Sequence, residues 1–423
     1  MFIFNFKDAV LSKKYDAFMF LCCVLYTMTA MPDLGMSGIL KNIIIFGTLP
    51  ILYYYLKENS HNKRIIWLFI TSIVIQVLSW VNSLFLIPEY AYSSPNLKLL
   101  SSMFLFVFIA FWVGNRPKKR IILFSSLIAG FVLTILYEGV YNHQFDQAIR
   151  WIRVDFGLYN AQFTSMIAAI VIMVCLYLIS VVKKNKTTYV VVLLAIILLS
   201  LWVLVISQSR QVWLASLIII AAIPLILRKY ISVKYNLAFY LILFVSVVGI
   251  VNTDFFQKRI TPELGTIEKI LEGDWENVPM TSWGIRFNSW VEASSWIKDS
   301  PIIGASKSAV RQVIQSSELF QSSARTRGFG HLHNYYIETL VAFGFVGVLF
   351  IVSFYTVISQ NIMKHSDYST KVFYVCFLLF WLIINNFESF NTKGYGLYIH
   401  SIIIGSLFFM PKPSTSKSAP PLA

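Results

Sequence analysis

The sequence predicts an all-α polytopic membrane protein, and three observations carry that reading. Hydrophobic residues make up 57% of the chain and charged residues only 13%, with a mean hydropathy of +0.68, too apolar for a soluble domain. The apolar residues fall in long runs, many near the roughly 20 residues a helix needs to cross about 30 Å of hydrocarbon. The basic residues gather in alternate loops between those runs. Together these predict about twelve transmembrane helices with both termini in the cytoplasm.

In chain order the candidate spans are 15–31, 36–56, 65–87, 97–114, 120–138, 159–182, 187–207, 211–227, 233–251, 333–358, 370–386 and 393–410. The first follows a basic start, but no small-x-small cleavage site follows it, so it reads as an uncleaved span rather than a signal peptide. The spans at 211–227 and 370–386 are short. Residues 1–251 thus form one transmembrane block and 333–410 a second, separated by a large polar loop at 252–332. The Pro/Ser/Lys-rich stretch 411–423 reads as a disordered cytoplasmic tail.

A net charge of +15 invites a nucleic-acid reading, which its distribution removes. Lys7, Lys13, Lys14, Lys57, Lys63, Arg64, Arg116, Lys118, Lys119, Arg120, Lys183, Lys184, Lys186, Arg228, Lys229, Lys234, Lys364, Lys371, Lys412 and Lys417 all fall on one side. By the positive-inside rule that side is cytoplasmic. The short loops opposite hold only Lys98, Arg150, Arg153, Arg210 and Lys393, and the 252–332 loop shares their side. The expected surroundings are therefore membrane lipids, with no nucleic acid. Cys22, Cys23, Cys175 and Cys376 lie within spans and provide neither a disulfide framework nor zinc spacing.

The large loop reads as partly helical. Trp283, Ile285, Phe287, Trp290, Val291, Trp296 and Ile297 have the spacing to pack a helix of about four turns, ended by Asp299-Ser300-Pro301. These tryptophans suit packing over a site and interfacial anchoring equally. A second helix follows Gly304, with Ser306 as its N-cap and Ala309, Val310, Val313 and Ile314 on one face. Ser322 to Gly330, carrying Arg325 and Arg327, reads as a mobile strap.

The loop closes on His331-Leu332-His333-Asn334, where the next span begins. His333 falls in the first turn of that span, where the helix's partial positive charge disfavours imidazolium and leaves a neutral ring able to accept a proton. The plainer alternative is an interfacial histidine capping a helix. His331 is the weaker candidate. Arg210 sits in the hairpin Ser207-Gln208-Ser209-Arg210-Gln211, and a lone arginine on the non-cytoplasmic face runs against the charge bias. Its planar fork matches phosphate oxygens. Arg286 is a second such cation; Arg150 and Arg153 equally suit lipid head groups.

Several chemistries are missing. The sequence holds no Asp-x-Asp for a metal-bound nucleotide sugar, no phosphate-binding Gly-x-x-x-x-Gly-Lys loop and no His-Glu-x-x-His zinc helix. Gly328-Phe329-Gly330 reads as a hinge. Lys41 and His400 are nearly the only ionisable residues within spans, which weakens a flippase or exporter reading that needs a charge-lined path.

The Ser-Gln-Ser-Arg-Gln hairpin, Gly284-Ile285-Arg286 heading the Trp-rich helix, Ser300-Pro301-Ile302-Ile303-Gly304, His331-Leu332-His333-Asn334 with Glu338, and the Gly344/Gly347 pair together resemble the O-antigen ligase (WaaL) family. That family shares a superfamily with O-antigen polymerases and protein O-oligosaccharyltransferases, and its fold resembles GT-C-type glycosyltransferases. The resemblance implies an inner-membrane enzyme with its active site facing the periplasm, transferring a glycan from undecaprenyl diphosphate to a sugar hydroxyl of lipid A-core. It implies an inverting reaction with no metal and no cofactor. His333 matches the family's essential histidine, Arg210 the arginine of the short hairpin and Arg286 that of the large loop. Glu388 corresponds to an acidic residue often present as Asp. Gln208, Asn334 and Arg153 complete the expected substrate-binding set. The short tail after the last span favours ligase over protein glycosylation, and the polymerase remains the alternative.

Overall fold

The computed structural model describes residues 6–58, 64–114, 116–182, 186–227, 232–322, 324 and 326–411, and among them it holds helices and no strand. Every expected apolar run is helical. In order they are α1 (Lys13–Thr29), α2 (Ser37–Glu58), α3 (Arg64–Leu86), α4 (Lys98–Trp112, bent through a 3-10 turn), α5 (Pro117–Tyr141), α6 (Ala161–Val181) and α7 (Thr187–Ile206). Next come α8 (Arg210–Ile226) and α9 (Val233–Val251), then the loop helices of ten residues or more, α10 (Asp254–Glu272), α11 (Ser282–Asp299) and α12 (Ser306–Gln315). The chain ends with α13 (Tyr335–His365), α14 (Tyr368–Ile384) and α15 (Gly394–Leu407).

Seven of these, α2, α3, α5, α6, α7, α9 and α13, are long and apolar enough to cross a membrane; α4, α8, α14 and α15 are shorter apolar helices. The expected tail, and Lys63, Lys183, Lys184, Arg228, Lys229, Arg325, Lys412 and Lys417, lie outside the described residues.

The bundle is organised around α6, whose residues from Phe163 to Leu178 are mostly buried and which packs against α5, α7, α8 and α14. Apolar side chains cover the outside as well. Phe46, Trp67, Leu198, Leu237 and Phe244 face outward, Phe85 is 80% exposed, and α9 buries none of its residues. An apolar surface of that extent is what lipid covers.

Two of the loop helices are the expected ones. Thr281 caps α11 by accepting the Gly284 N–H at 3.2 Å, and α11 stops at Ser300-Pro301. Ser306 opens α12 with its Oγ 3.4 Å from the Ser308 N–H, although the flanking position belongs to Ala305. α10 was not anticipated, because Pro262 lies within it and its charges dilute the apolar spacing.

The link between α11 and α12 is built into a break in α13. Gly344 there has φ 58° and ψ −158°, which interrupts the helical ladder and frees backbone donors. Phe345 N–H donates to Pro301 O at 2.8 Å and Val346 N–H to Ile302 O at 3.1 Å, while Ala305 N–H donates to Val341 O at 3.0 Å. A Cβ on Gly344 would lie 2.4 Å from the Ile302 carbonyl, and one on Gly304, at φ 72°, 2.4 Å from the Ala342 carbonyl carbon. Side chains of α3 complete the clamp: Asn82 Nδ2 donates to Gly304 O at 2.7 Å, and Ser79 Oγ accepts the Ser306 N–H at 2.7 Å. This junction fixes the loop helices onto the bundle beside the start of α13.

Candidate active site

The start of α13 is set by Asn334, whose Oδ1 accepts the Tyr336 and Ile337 N–H groups at 3.0 and 3.1 Å, an N-cap of the kind that contributes about 1 kcal/mol. Its carbonyl amide oxygen is thus engaged in the cap. His333 precedes the cap in a left-handed conformation, φ 52°, one of the residue types that tolerate it. This corrects the expectation of a first-turn histidine: the ring stands before the helix, and its electrostatics come chiefly from a carboxylate.

That carboxylate is Glu388, in the buried segment between α14 and α15. His333 Nδ1 lies 3.1 Å from Glu388 Oε2, and His331 Nε2 lies 3.6 Å from Oε1. The two imidazole rings are 4.1 Å apart, and Phe329 closes over both with its ring 5.5 Å from that of His333. Thr326 Oγ1 donates to Phe320 O at 2.8 Å and Phe329 N–H to Thr326 O at 2.9 Å, which holds Phe329 in position. Burial works against the Glu388 carboxylate, but the hydrogen bond from His333 outweighs it and holds the carboxyl at about 2. Burial, reinforced by His333, pushes His331 down to about 4 and keeps it neutral.

The histidine turn is pinned through Leu332. Its N–H donates to Glu338 Oε1 at 2.8 Å, and its carbonyl accepts from Trp290 Nε1 at 3.0 Å and Ser289 Oγ at 3.2 Å. At least one tryptophan of α11 therefore packs over the site. From the same helix, Arg286 donates from Nε to Phe387 O at 3.2 Å and from Nη1 to Ser282 O at 2.8 Å. Burial lowers its proton affinity and Glu388 opposes that effect; a guanidinium stays charged throughout. Gln162, at the head of α6, bridges the groups: in the amide orientation that satisfies both, its nitrogen is 2.8 Å from Glu388 Oε2 and its oxygen 3.3 Å from Arg286 Nη2. Sequence reasoning missed Gln162, which sits in an apolar helix without any motif around it.

Arg210 heads a second cluster. Its Nη2 donates to Glu263 Oε1 and its Nη1 to Arg259 O, both at 2.7 Å. Burial opposes ionisation of Glu263, yet hydrogen bonds from Thr281, Arg210 and the Trp283 N–H keep its carboxyl below the ordinary range. Arg210 is therefore not a free fork, though the two contacts engage only part of the five N–H donors a guanidinium carries. Arg259 Nη2 donates to Gln208 O at 3.0 Å, and burial together with Arg210 lowers its proton affinity. Gln208 and Arg153 brace the hairpin: Gln208 Nε2 donates to Trp151 O at 2.9 Å and Arg153 Nε to Ser207 O at 3.1 Å. Glu263 and Arg259 belong to α10 and escaped notice with it.

His331, His333 and Glu388 each offer one ligand atom, all within 4.8 Å of one another, so this trio has the composition of a small transition-metal site as well as of a hydrogen-bonded base.

Fold and site together define a multi-pass membrane protein with a partly buried imidazole–carboxylate pair and adjoining arginines. Residues 195–352 match the family model described as O-Antigen ligase, which supports membership of the O-antigen ligase superfamily, glycosyltransferase-like enzymes that act on lipid-linked glycans. The match contains Arg210, Glu263, Arg286 and both histidines, but neither Gln162 nor Glu388. The chain is also similar to a Haemophilus influenzae (strain ATCC 51907 / DSM 11121 / KW20 / Rd) protein described as uncharacterized, 23% identical over 362 residues, which span 83% of this chain and 87% of the relative.

Proposed function

We propose that the protein is an O-antigen ligase of the inner membrane, moving a glycan from undecaprenyl diphosphate to a sugar hydroxyl of lipid A-core at the periplasmic face. The observation that carries this reading is the His333 Nδ1 to Glu388 Oε2 contact of 3.1 Å. A carboxylate on Nδ1 favours the tautomer with its proton there, leaving Nε2 as the basic nitrogen. Nε2 takes the proton of the acceptor hydroxyl as its oxygen attacks the anomeric carbon, and Glu388 stabilises the imidazolium that forms. Attack from the face opposite the leaving group inverts the anomeric centre.

The bond to the lipid diphosphate breaks as that group gains negative charge, and fixed cations aimed at it lower the barrier without reorganisation. Arg286 and Arg210, with Arg153 behind them, take this part. Gln162 couples the two halves, since it touches both Glu388 and Arg286. The arginines supply the neutralisation that a divalent ion would give elsewhere, so the reaction is proposed to need no metal or cofactor.

Deletion of the gene in its host tests the reading. A ligase leaves intact core without polymer while lipid-linked polymer accumulates. Core carrying a single repeat identifies a polymerase instead, and unchanged lipopolysaccharide overturns both.

A further inference from the structure

We propose that a cavity of about 320 Å³ at the start of α15 is the acceptor site, and that it takes a saccharide bearing a phosphate or carboxylate group. The proposal rests on the glycosyl-transfer reading above and names the substrate chemistry it requires. The cavity lies between the starts of α2, α6 and α15, lined by Tyr159, Phe163, Tyr398, Lys41 and Lys393, with Asp33 also on its wall. Its size is at the low end of the roughly 300–1,000 Å³ of small-molecule sites, room for one or two sugar rings rather than a polymer.

Position argues for the acceptor rather than the donor. Lys393 also lines a smaller cavity of about 80 Å³ that His331 borders, and the His331 ring is 4.1 Å from that of His333, so a shared wall residue links the cavity to the histidine turn. Phe163 follows Gln162 in sequence, and its ring lies 4.8 Å from that of Phe390, two residues after Glu388. Neither Arg210 nor Arg286 lines either cavity. In-line displacement needs attacking oxygen and leaving diphosphate on opposite faces of the sugar, and neither arginine assigned to the diphosphate belongs to this cavity's wall.

Chemistry argues for an anionic sugar. Aromatic rings offer apolar faces that match the C–H faces of a pyranose, and the Tyr398 hydroxyl is already committed to Thr27 O. Two ammonium groups against one carboxylate leave a net positive wall, and Lys393 sits 5.8 Å from the Tyr159 ring centroid, joining charge to platform. Lysines bind as point charges and suit a monoanionic or dianionic substituent in several orientations.

The test uses the full-length protein in neutral phosphatidylcholine nanodiscs, with lipid-linked donor and core oligosaccharide either phosphorylated or dephosphorylated. Lys41→Gln with Lys393→Gln should raise KM for the phosphorylated acceptor about tenfold or more, as expected for loss of charge-assisted contacts, and leave donor KM unchanged. Asp33→Asn, at an exposed position, should lower the same KM and guards against misfolding of the lysine variants. An unchanged acceptor KM, or an equal rise for both acceptors, overturns the proposal. So does a lysine effect seen only when phosphatidylglycerol is added, which would mark a lipid head-group site. Binding of phosphorylated core oligosaccharide to His333→Ala protein separates the two ideas: binding without wild-type turnover sinks the reaction assigned above, and turnover with lysine-independent binding sinks this one.

Discussion

His333 and His331 are two residues apart and share Glu388, yet their environments differ. The Nδ1 contact of His333 is a hydrogen bond at 3.1 Å, whereas His331 is 3.6 Å from the other carboxylate oxygen and is held neutral at about 4. His333→Ala should therefore lower transfer by about 10²–10⁴, the usual contribution of a general base, with expression unchanged, and His331→Ala should lose much less. Glu388→Gln keeps a hydrogen-bond acceptor but removes the charge that favours imidazolium. It should reduce kcat, because the imidazolium that forms during transfer then lacks its counter-charge. An unchanged kcat would deny Glu388 that role. At Arg210, lysine cannot both hold Glu263 and present remaining planar donors to phosphate, so Arg210→Lys should lose most activity; full rate would mean that charge alone suffices. The trio of His331, His333 and Glu388 makes chelation informative. Excess EDTA should leave the rate unchanged, and restoration of a chelated enzyme by added divalent ion would replace the base mechanism with metal chemistry.

At the scale of elements, α11 and α12 were readable because apolar spacing, Pro301 and Gly304 mark their faces and ends. α10 was hidden by Pro262, and with it went the partner of Arg210, since nothing in the sequence links position 210 to 263. The Ser300–Gly304 stretch and Gly344 stood out only as motif residues. Their physical meaning needs the fold: the loop supplies carbonyls to donors freed by the break in α13, and both glycines have positive φ against backbone at 2.4 Å. Gly344→Ala meets strain and a backbone collision together, each costing on the order of 1–3 kcal/mol. Thermal unfolding in detergent should show a clearly lowered midpoint, with activity falling in parallel because the same junction positions α11, Trp290 and the histidine turn. Wild-type stability and rate in Gly344→Ala would mean that the break is not required.

For the whole molecule, every apolar run became a helix because burial or lipid contact of these residues needs backbone groups satisfied within the segment. Among the described residues seven of these helices are long and apolar enough to span, and α4, α8, α14 and α15 are shorter apolar helices. His333 and Glu388 were both identified from sequence, but their contact joins positions 55 apart through three-dimensional packing that local patterns do not encode. Orientation follows from charge. The alternate basic loops predict that the 252–332 segment faces the periplasm, and the proposed chemistry requires it. All four cysteines are free and buried, so a cysteine-free background is a modest change to four interior positions. In that background Ser295→Cys, exposed on α11, and Lys118→Cys, exposed at the start of α5, report the two sides. A membrane-impermeant maleimide should label position 295 in spheroplasts and position 118 only after lysis. Labelling in the reverse order would place the histidine turn in the cytoplasm, on the side where the charge distribution puts the termini, and a periplasmic acceptor could not reach it.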